Sequence, residues 1–208
     1  MDILAHRGLW HVVEQKNTLS SLTDAVSKGF GIETDIRDYQ ERLVISHNIA
    51  DSNSPDLESF FKEYAQKNRN EWLALNVKAD GIQIKLMELI QKYNITKYFL
   101  FDMSIPEMVV NRKEKLNFFT RHSDIESQCV LYEYACGVWL DSFYVENWVT
   151  SDIIEKHLQN GKLISVISPE IHGFDQMPLW DLLKKTGLYK NVMLCTDKPE
   201  FAREYFNE

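Results

Sequence analysis

Two imidazoles, one guanidinium and two carboxylates fall in the first quarter of the chain, in His6-Arg7-Gly8, Glu33-Thr34-Asp35 and Ser46-His47-Asn48. Together they could break a phosphodiester, supplying a proton acceptor, a proton donor, a cationic phosphate clamp and a seat for a divalent metal. Imidazoles titrate near neutrality, so one of His6 and His47 would deprotonate an attacking hydroxyl or water while the other protonates the leaving oxygen. Glu33 and Asp35 are two apart, which on a strand sends both side chains from one face. Such a pair repels itself unless a cation or a buried base lies between, and carboxylate oxygens with open water positions suit Mg²⁺ or Ca²⁺. Arg7 offers a planar fork for phosphate oxygens, and Lys78 adds a point charge from another strand. Singly, each residue reads more simply as a surface charge or a hydrogen-bonded histidine. The ordered set, each member ending an apolar strand-like run, carries the reading.

Those runs are the elements that must position the chemistry. Short apolar, β-prone segments occur at Ile3–Ala5, Gly31–Ile36 with Leu43–Ser46, Trp72–Val77, Tyr98–Phe101, Leu116–Thr120, Gly137–Phe143, Lys162–Ile167 and Asn191–Cys195. Between them lie helical stripes: Leu19, Leu22, Ala25 and Val26; Leu57, Phe60, Phe61 and Tyr64; Ile82, Leu86, Leu89 and Ile90. Asn17 or Thr18 can cap the first helix; Ser54-Pro55, Ser104-Ile105-Pro106 and Ser151-Asp152 open later ones, and Pro178 and Pro199 precede the last two. Gly29, Gly161 and Gly187 fall where a left-handed C-cap is wanted. Eight strand–helix alternations with short connections predict an α/β chain, a single parallel eight-stranded (β/α)₈ TIM barrel over residues 1–208 with minimal insertions. The rival, an open doubly wound sheet, calls for a Gly-rich phosphate loop, and Gly8 stands alone.

In such a barrel the site lies at the C-terminal strand ends. Those ends carry His6 and Arg7; Glu33 and Asp35; His47; Asn76 and Lys78; Asp102; Arg121 and His122; Asp141; Glu170 and His172; and Asp197. His122 and His172 are candidates to supplement the site. Trp139, Phe143, Tyr144, Trp148 and Phe174 could stack on a sugar or alcohol, or simply pack.

Composition narrows the partners. A chain of 208 residues with 44% hydrophobic content can build a sizeable core. Its formal net charge of -8, with no basic patch, disfavours nucleic acid and anionic membrane surfaces. No apolar run approaches the roughly 20 residues that span a bilayer. The opening Met1–His6 reads as a first strand rather than a secretion leader. The odd cysteine count, Cys129, Cys136 and Cys195, reads as reduced thiols in a cytoplasmic protein, and the seven-residue separation of the first two matches one helix face. The partner expected is a small-molecule phosphodiester.

The residues resemble the glycerophosphodiester phosphodiesterase family, within the phosphatidylinositol phospholipase-like phosphodiesterase barrels. That pattern runs His-Arg-Gly, Pro-Glu-Asn-Thr, a Glu-x-Asp strand, a hairpin ending His-Asp, then Glu-x-Lys; here stand His6-Arg7-Gly8, Gln15-Lys16-Asn17-Thr18, Glu33-Thr34-Asp35, His47-Asn48 and Asn76-Val77-Lys78. Thr196-Asp197-Lys198-Pro199 is similar to the closing Thr-Asp-x-Pro. The resemblance implies His6 and His47 as the acid–base pair, Glu33, Asp35 and Asn76 around the metal, and Arg7 and Lys78 on phosphate. It also implies lipid metabolism, and attack by a neighbouring substrate hydroxyl that leaves a cyclic phosphate for water to open. Three positions depart from the pattern. Asn76 replaces an acidic ligand, so Asp102 or Asp80 could be recruited; Lys16 replaces a Glu and Asn48 an Asp. The insert that commonly covers the head group after the second histidine is missing, so a more open pocket is expected. Two other functions fit the same residues: a non-catalytic phosphoester-binding barrel, and a lyase or phosphotransferase releasing a cyclic phosphate.

Overall fold

The computed structural model describes residues 1–67 and 70–207. Strands and helices alternate as β1 (Asp2–His6), α1 (Leu19–Ser27), β2 (Gly31–Tyr39), β3 (Arg42–Ile45), α2 (Leu57–Lys67), β4 (Leu73–Val77), α3 (Gln83–Lys92), β5 (Tyr98–Phe101), α4 (Ile105–Lys113), β6 (Phe119–Ser123), β7 (Gly137–Asp141), α5 (Ser151–Gln159), β8 (Leu163–Ile167), α6 (Met177–Thr186), β9 (Met193–Thr196) and α7 (Pro199–Asn207). The strand order is β5-β4-β2-β1-β9-β8-β7-β6, with β3 added beside β2. Pairs β2–β4, β4–β5, β6–β7, β7–β8 and β8–β9 are parallel. This is the expected α/β class.

The chain divides into two compact units, Ala5–Asn117 and Met1–Leu4 with Phe118–Glu208. In the first, the predicted stripes are the buried faces: Leu22, Ala25 and Val26 of α1, Phe60, Phe61 and Tyr64 of α2, and Leu86 and Ile90 of α3. Every residue of β4 is buried, as a parallel strand covered on both faces requires. β2 and β3 form an antiparallel hairpin through Gln40 and Glu41, both at positive φ, the primed-turn geometry that matches strand twist. The second unit is built alike, around Val138, Leu140, Val166, Leu194 and the indole of Trp180.

Two expectations need correction. Among the described residues no helix joins β6 to β7; residues 124–136 form turns. Several of its large apolar residues, Ile125, Val130 and Tyr134, are exposed, so a helix there would have little face to bury. Cys129 and Cys136 therefore share no helix face, and all three cysteines are free thiols. The sixth strand also lies three residues later than Leu116–Thr120, at Phe119–Ser123, although Leu116 and Phe118 are buried as an apolar run should be.

Caps follow the chemistry more than the first guess. Thr18, not Asn17, caps α1 by accepting from the Ser21 amide, and Thr150 caps α5 in place of Ser151. Asp56 accepts the Ser59 amide at 2.9 Å at the start of α2, while the Ser54 hydroxyl serves the Asp51 loop. Gly29, Gly161 and Gly187 have the left-handed φ expected of them.

Gly8 is required twice over. Its φ is +90°, and a Cβ there would lie 2.6 Å from the Ser21 hydroxyl and 2.7 Å from a backbone carbon of α1. Gly8→Ala is expected to cost on the order of 3 kcal/mol through strain and collision, read as a lowered midpoint in thermal or urea unfolding.

Candidate active site

The site assembles within Ala5–Asn117. Parallel pairing sets Asp35 beside Asn76, so these two side chains share a sheet face with Glu33. Arg7 follows β1 at φ +58°, a left-handed conformation few non-glycine residues adopt. Its amide is held by the Glu33 carbonyl at 2.9 Å and lies 3.3 Å from the Glu33 carboxylate. The bend aims the guanidinium at β2, with Nε 3.1 Å from Asp35 Oδ2, an ion pair without an aligned hydrogen bond.

Asp35 is the hub. It is fully buried, and its carboxylate meets Arg7, Lys78 Nζ at 3.5 Å, His47 Nδ1 at 3.2 Å and the Asn17 amide at 2.8 Å. Burial pushes its carboxyl up; Arg7 and Lys78, with hydrogen bonds from Asn17 and His47, outweigh that and hold it below the usual range. Glu33 fares differently. Burial, then the neighbouring Asp35 charge, push it up to about 8, with Arg7 and Lys78 only partly opposing. The two carboxylates are thus driven apart: Asp35 ionised, Glu33 protonated at neutrality. His6 Nε2 stands 3.8 Å from Glu33 Oε2, beyond hydrogen-bond length.

His47 Nδ1 lies 2.8 Å from Arg7 Nη2 as well as 3.2 Å from Asp35 Oδ1. These contacts exclude one another as hydrogen bonds. A guanidinium only donates, so that bond needs Nδ1 bare; a carboxylate only accepts, so that bond needs Nδ1 protonated. Where Arg7 points therefore decides which nitrogen of His47 carries the proton.

Asn76 donates to Asp102 Oδ2 at 3.1 Å, and its Oδ1 is buried with no hydrogen-bond partner. Asp80 instead receives the Ser104 hydroxyl at 3.0 Å. Lys16 sits 4.1 Å above the Trp10 ring, whose indole donates to the His6 carbonyl. With Arg7, His47 and Asn48 it borders a cleft of about 410 Å³ whose other wall is the 51–55 loop, large enough for a small organic phosphate. The missing insert leaves this loop as the wall there.

Two positioning residues escaped the sequence reading. Asn17, at φ +60°, bridges the site by donating to Asp35 and accepting from the Thr34 hydroxyl at 2.8 Å. Asparagine is the side chain that tolerates this backbone and offers both bonds. Arg37 donates to the Lys78 carbonyl at 2.9 Å and the His47 carbonyl at 3.4 Å, so one guanidinium ties two site segments together. Its position two beyond Asp35 on the same strand face was the available signal. Arg37→Leu is expected to speed amide exchange at 46–48 and 78–80 about tenfold while the core amides stay protected, measured by hydrogen–deuterium exchange.

The later strand ends have other partners, all within the Phe118–Glu208 unit. Glu170 binds the Ser168 and Thr196 hydroxyls and the Asp197 amide, so the Thr196–Pro199 segment is held as a loop clasp. His172 Nε2 donates to Asp141 at 2.8 Å, a bond that raises its pKa. His122 is engaged by His157 at 3.0 Å and by the Trp148 ring. Trp139 is core, and Phe143 packs on Arg121 and His172.

No family model matches the chain, and no curated protein matches it by sequence. Solved structures do. A glycerophosphodiester phosphodiesterase from Agrobacterium tumefaciens aligns over 100% of both chains at 14% identity and a TM-score of 0.73. One from Parabacteroides distasonis covers 99% of this chain and 96% of its own at 18% identity, TM-score 0.67. An Oleispira antarctica phosphodiesterase, solved with the product sn-glycerol-3-phosphate, covers 100% and 97% at 14% identity, TM-score 0.74. The chain has the α/β barrel fold of these phosphodiesterases. Among the described residues no helix is long and apolar enough to cross a membrane.

Proposed function

We propose that the protein is a metal-dependent phosphodiesterase that cleaves small glycerol- or sugar-linked phosphodiesters by two-histidine acid–base catalysis. The observation that carries this reading is the convergence of Arg7, Lys78 and His47 on buried Asp35, beside Glu33 and His6. The fold shared with solved phosphodiesterases supports it.

The residues fit a hard divalent cation. Burial and the Asp35 charge hold Glu33 protonated despite Arg7 and Lys78, Asp35 is ionised, and Asn76 keeps a buried acceptor without a donor. Glu33, Asp35 and Asn76 would hold Mg²⁺ or Ca²⁺, with oxygen ligands throughout. When bound, the cation supplies positive charge to a phosphate oxygen. Asn76→Asp is expected to tighten Mg²⁺ about tenfold by adding ligand charge, measured by titration calorimetry.

The chain's own residues do the rest. A phosphate dianion or diester in the cleft competes with Asp35 for Arg7 and Lys78, and the Arg7 fork can grip two of its oxygens. Once Arg7 turns to phosphate, His47 is free to donate Nδ1–H to Asp35. That places the lone pair on Nε2, where the imidazole takes the proton of the attacking hydroxyl. His6, 3.8 Å from Glu33, would return a proton to the leaving alkoxide. The test is phosphorus NMR of the protein with Mg²⁺ or Ca²⁺ and a panel of glycerophosphodiesters. A monoester product, directly or through a cyclic phosphate, supports the reading; a panel left uncleaved with either metal contradicts it. Cyclic phosphate that persists would instead mark a lyase.

A further inference from the structure

The β6–β7 turns bring a second, chemically different donor set together. We infer that His122, Cys129 and His157 form a zinc site that staples the β6–β7 connection to α5. One nitrogen from each imidazole and the thiol sulfur all lie within 4.8 Å of one another. His122 Nδ1 and His157 Nε2 are 3.0 Å apart. Tetrahedral zinc with Zn–N of about 2.0–2.1 Å and Zn–S of about 2.3 Å sets its donors roughly 3.3–3.6 Å from each other. The imidazoles are already that close, so the remaining adjustment, about an ångström, falls on the turn that carries Cys129.

The surroundings are those of a ligand set. The Tyr132 hydroxyl lies 2.9 Å from His157 Nδ1. A phenol accepting that Nδ1–H fixes the tautomer and turns the Nε2 lone pair toward His122 and Cys129, the outer support metal-binding histidines ordinarily have. The turn is anchored independently: Asp124 accepts the amides of Phe143, Tyr144 and Val145, and Glu126 pairs with Arg121. Lys156 and Glu126 are the charges that act on this group. Lys156 opposes a bare cation; metal binding would displace the Cys129 thiol proton, and the resulting thiolate would offset that charge. Two imidazoles and one thiolate select a soft or borderline ion, which the oxygen donors of the Glu33–Asp35 site do not.

Cobalt is the probe. Chelator-treated protein titrated with Co²⁺ is expected to gain a near-ultraviolet thiolate charge-transfer band and visible tetrahedral bands that saturate at one equivalent, and Zn²⁺ should bleach both. Cys129→Ser should remove the charge-transfer band, and His122→Gln should weaken binding at least tenfold. Glu33→Gln should leave both spectra intact, which separates this site from any failure at the oxygen site. Circular dichroism of each variant confirms that it is folded. Absence of a sulfur band at excess Co²⁺, or a band that survives Cys129→Ser in folded protein, overturns the proposal. Zinc should also raise the thermal midpoint of the wild-type chain by several degrees and that of Cys129→Ser by none.

Discussion

His47→Ala is expected to lower kcat on a glycerophosphodiester by roughly 10²–10⁴-fold while KM changes little. The imidazole touches both the Arg7 guanidinium and the Asp35 carboxylate through a single nitrogen. Under the proposed mechanism, removing it abolishes the proton acceptor and leaves the phosphate clamp in place, so the loss is expected on the chemical step. His47 is also nearly half exposed, so the fold should tolerate its truncation. Steady-state kinetics with circular dichroism as a control checks this. A variant with wild-type turnover would remove His47 from the mechanism.

The second large effect is a reversal of pH dependence by metal. Glu33 rises from an ordinary 4.5 to about 8 on burial in the folded chain. The folded state therefore binds a proton that the unfolded state releases above about pH 4.5. Its contribution is full below that value and is lost as pH rises through about 8. Asp35 runs the other way: its lowered pKa contributes stability above the ordinary carboxylate range, lost only in acid. Metal-free protein should thus lose thermal stability between about pH 6 and pH 9. A cation seated on Glu33 needs that proton gone, so Mg²⁺ or Ca²⁺ should raise the melting temperature more at about pH 9 than at about pH 6. Differential scanning calorimetry at both pH values measures it. Glu33→Gln, which has nothing to ionise, should flatten the metal-free slope and most of the metal response.

Much of this was legible in the chain because its signals are local. The apolar stripes of α1, α2 and α3 and the largely apolar β4 reflect burial on one or both faces, and periodicity reports burial. Asp35 and Glu33 share a face because strands repeat every two residues, and His6, His47 and Lys78 end neighbouring strands. What stayed hidden depends on contacts between distant segments. Nothing local says that Arg37 reaches the carbonyls of both His47 and Lys78, or that Asn17 leaves the cap to Thr18 and turns to Asp35. The opposed states of Glu33 and Asp35 follow from which carboxylate the cations reach first. His122 read as a strand-end histidine because Cys129 and His157 are seven and 35 residues away, a separation only the fold closes.

The glutamate-to-asparagine departure at position 76 has a physical cost and a physical remedy. An amide oxygen would coordinate without charge, so the proposed set would draw its anionic ligands from Asp35 and, once deprotonated, Glu33, while the Asn76 amide already holds Asp102. In the proposed site this is expected to weaken cation binding and to shift the neutralisation of phosphate charge toward Arg7 and Lys78. Lys16, where the pattern has an acid, adds a further cation at the edge of the same cleft.

The most direct measurement is a crystal structure with Mn²⁺ and sn-glycerol-3-phosphate soaked in, the ion located by its anomalous signal. The account predicts manganese on Glu33, Asp35 and Asn76, with a nitrogen of His6 and one of His47 each within about 2.6–3.2 Å of a phosphate oxygen. Manganese bound elsewhere, or either imidazole out of reach of the phosphate, would contradict it.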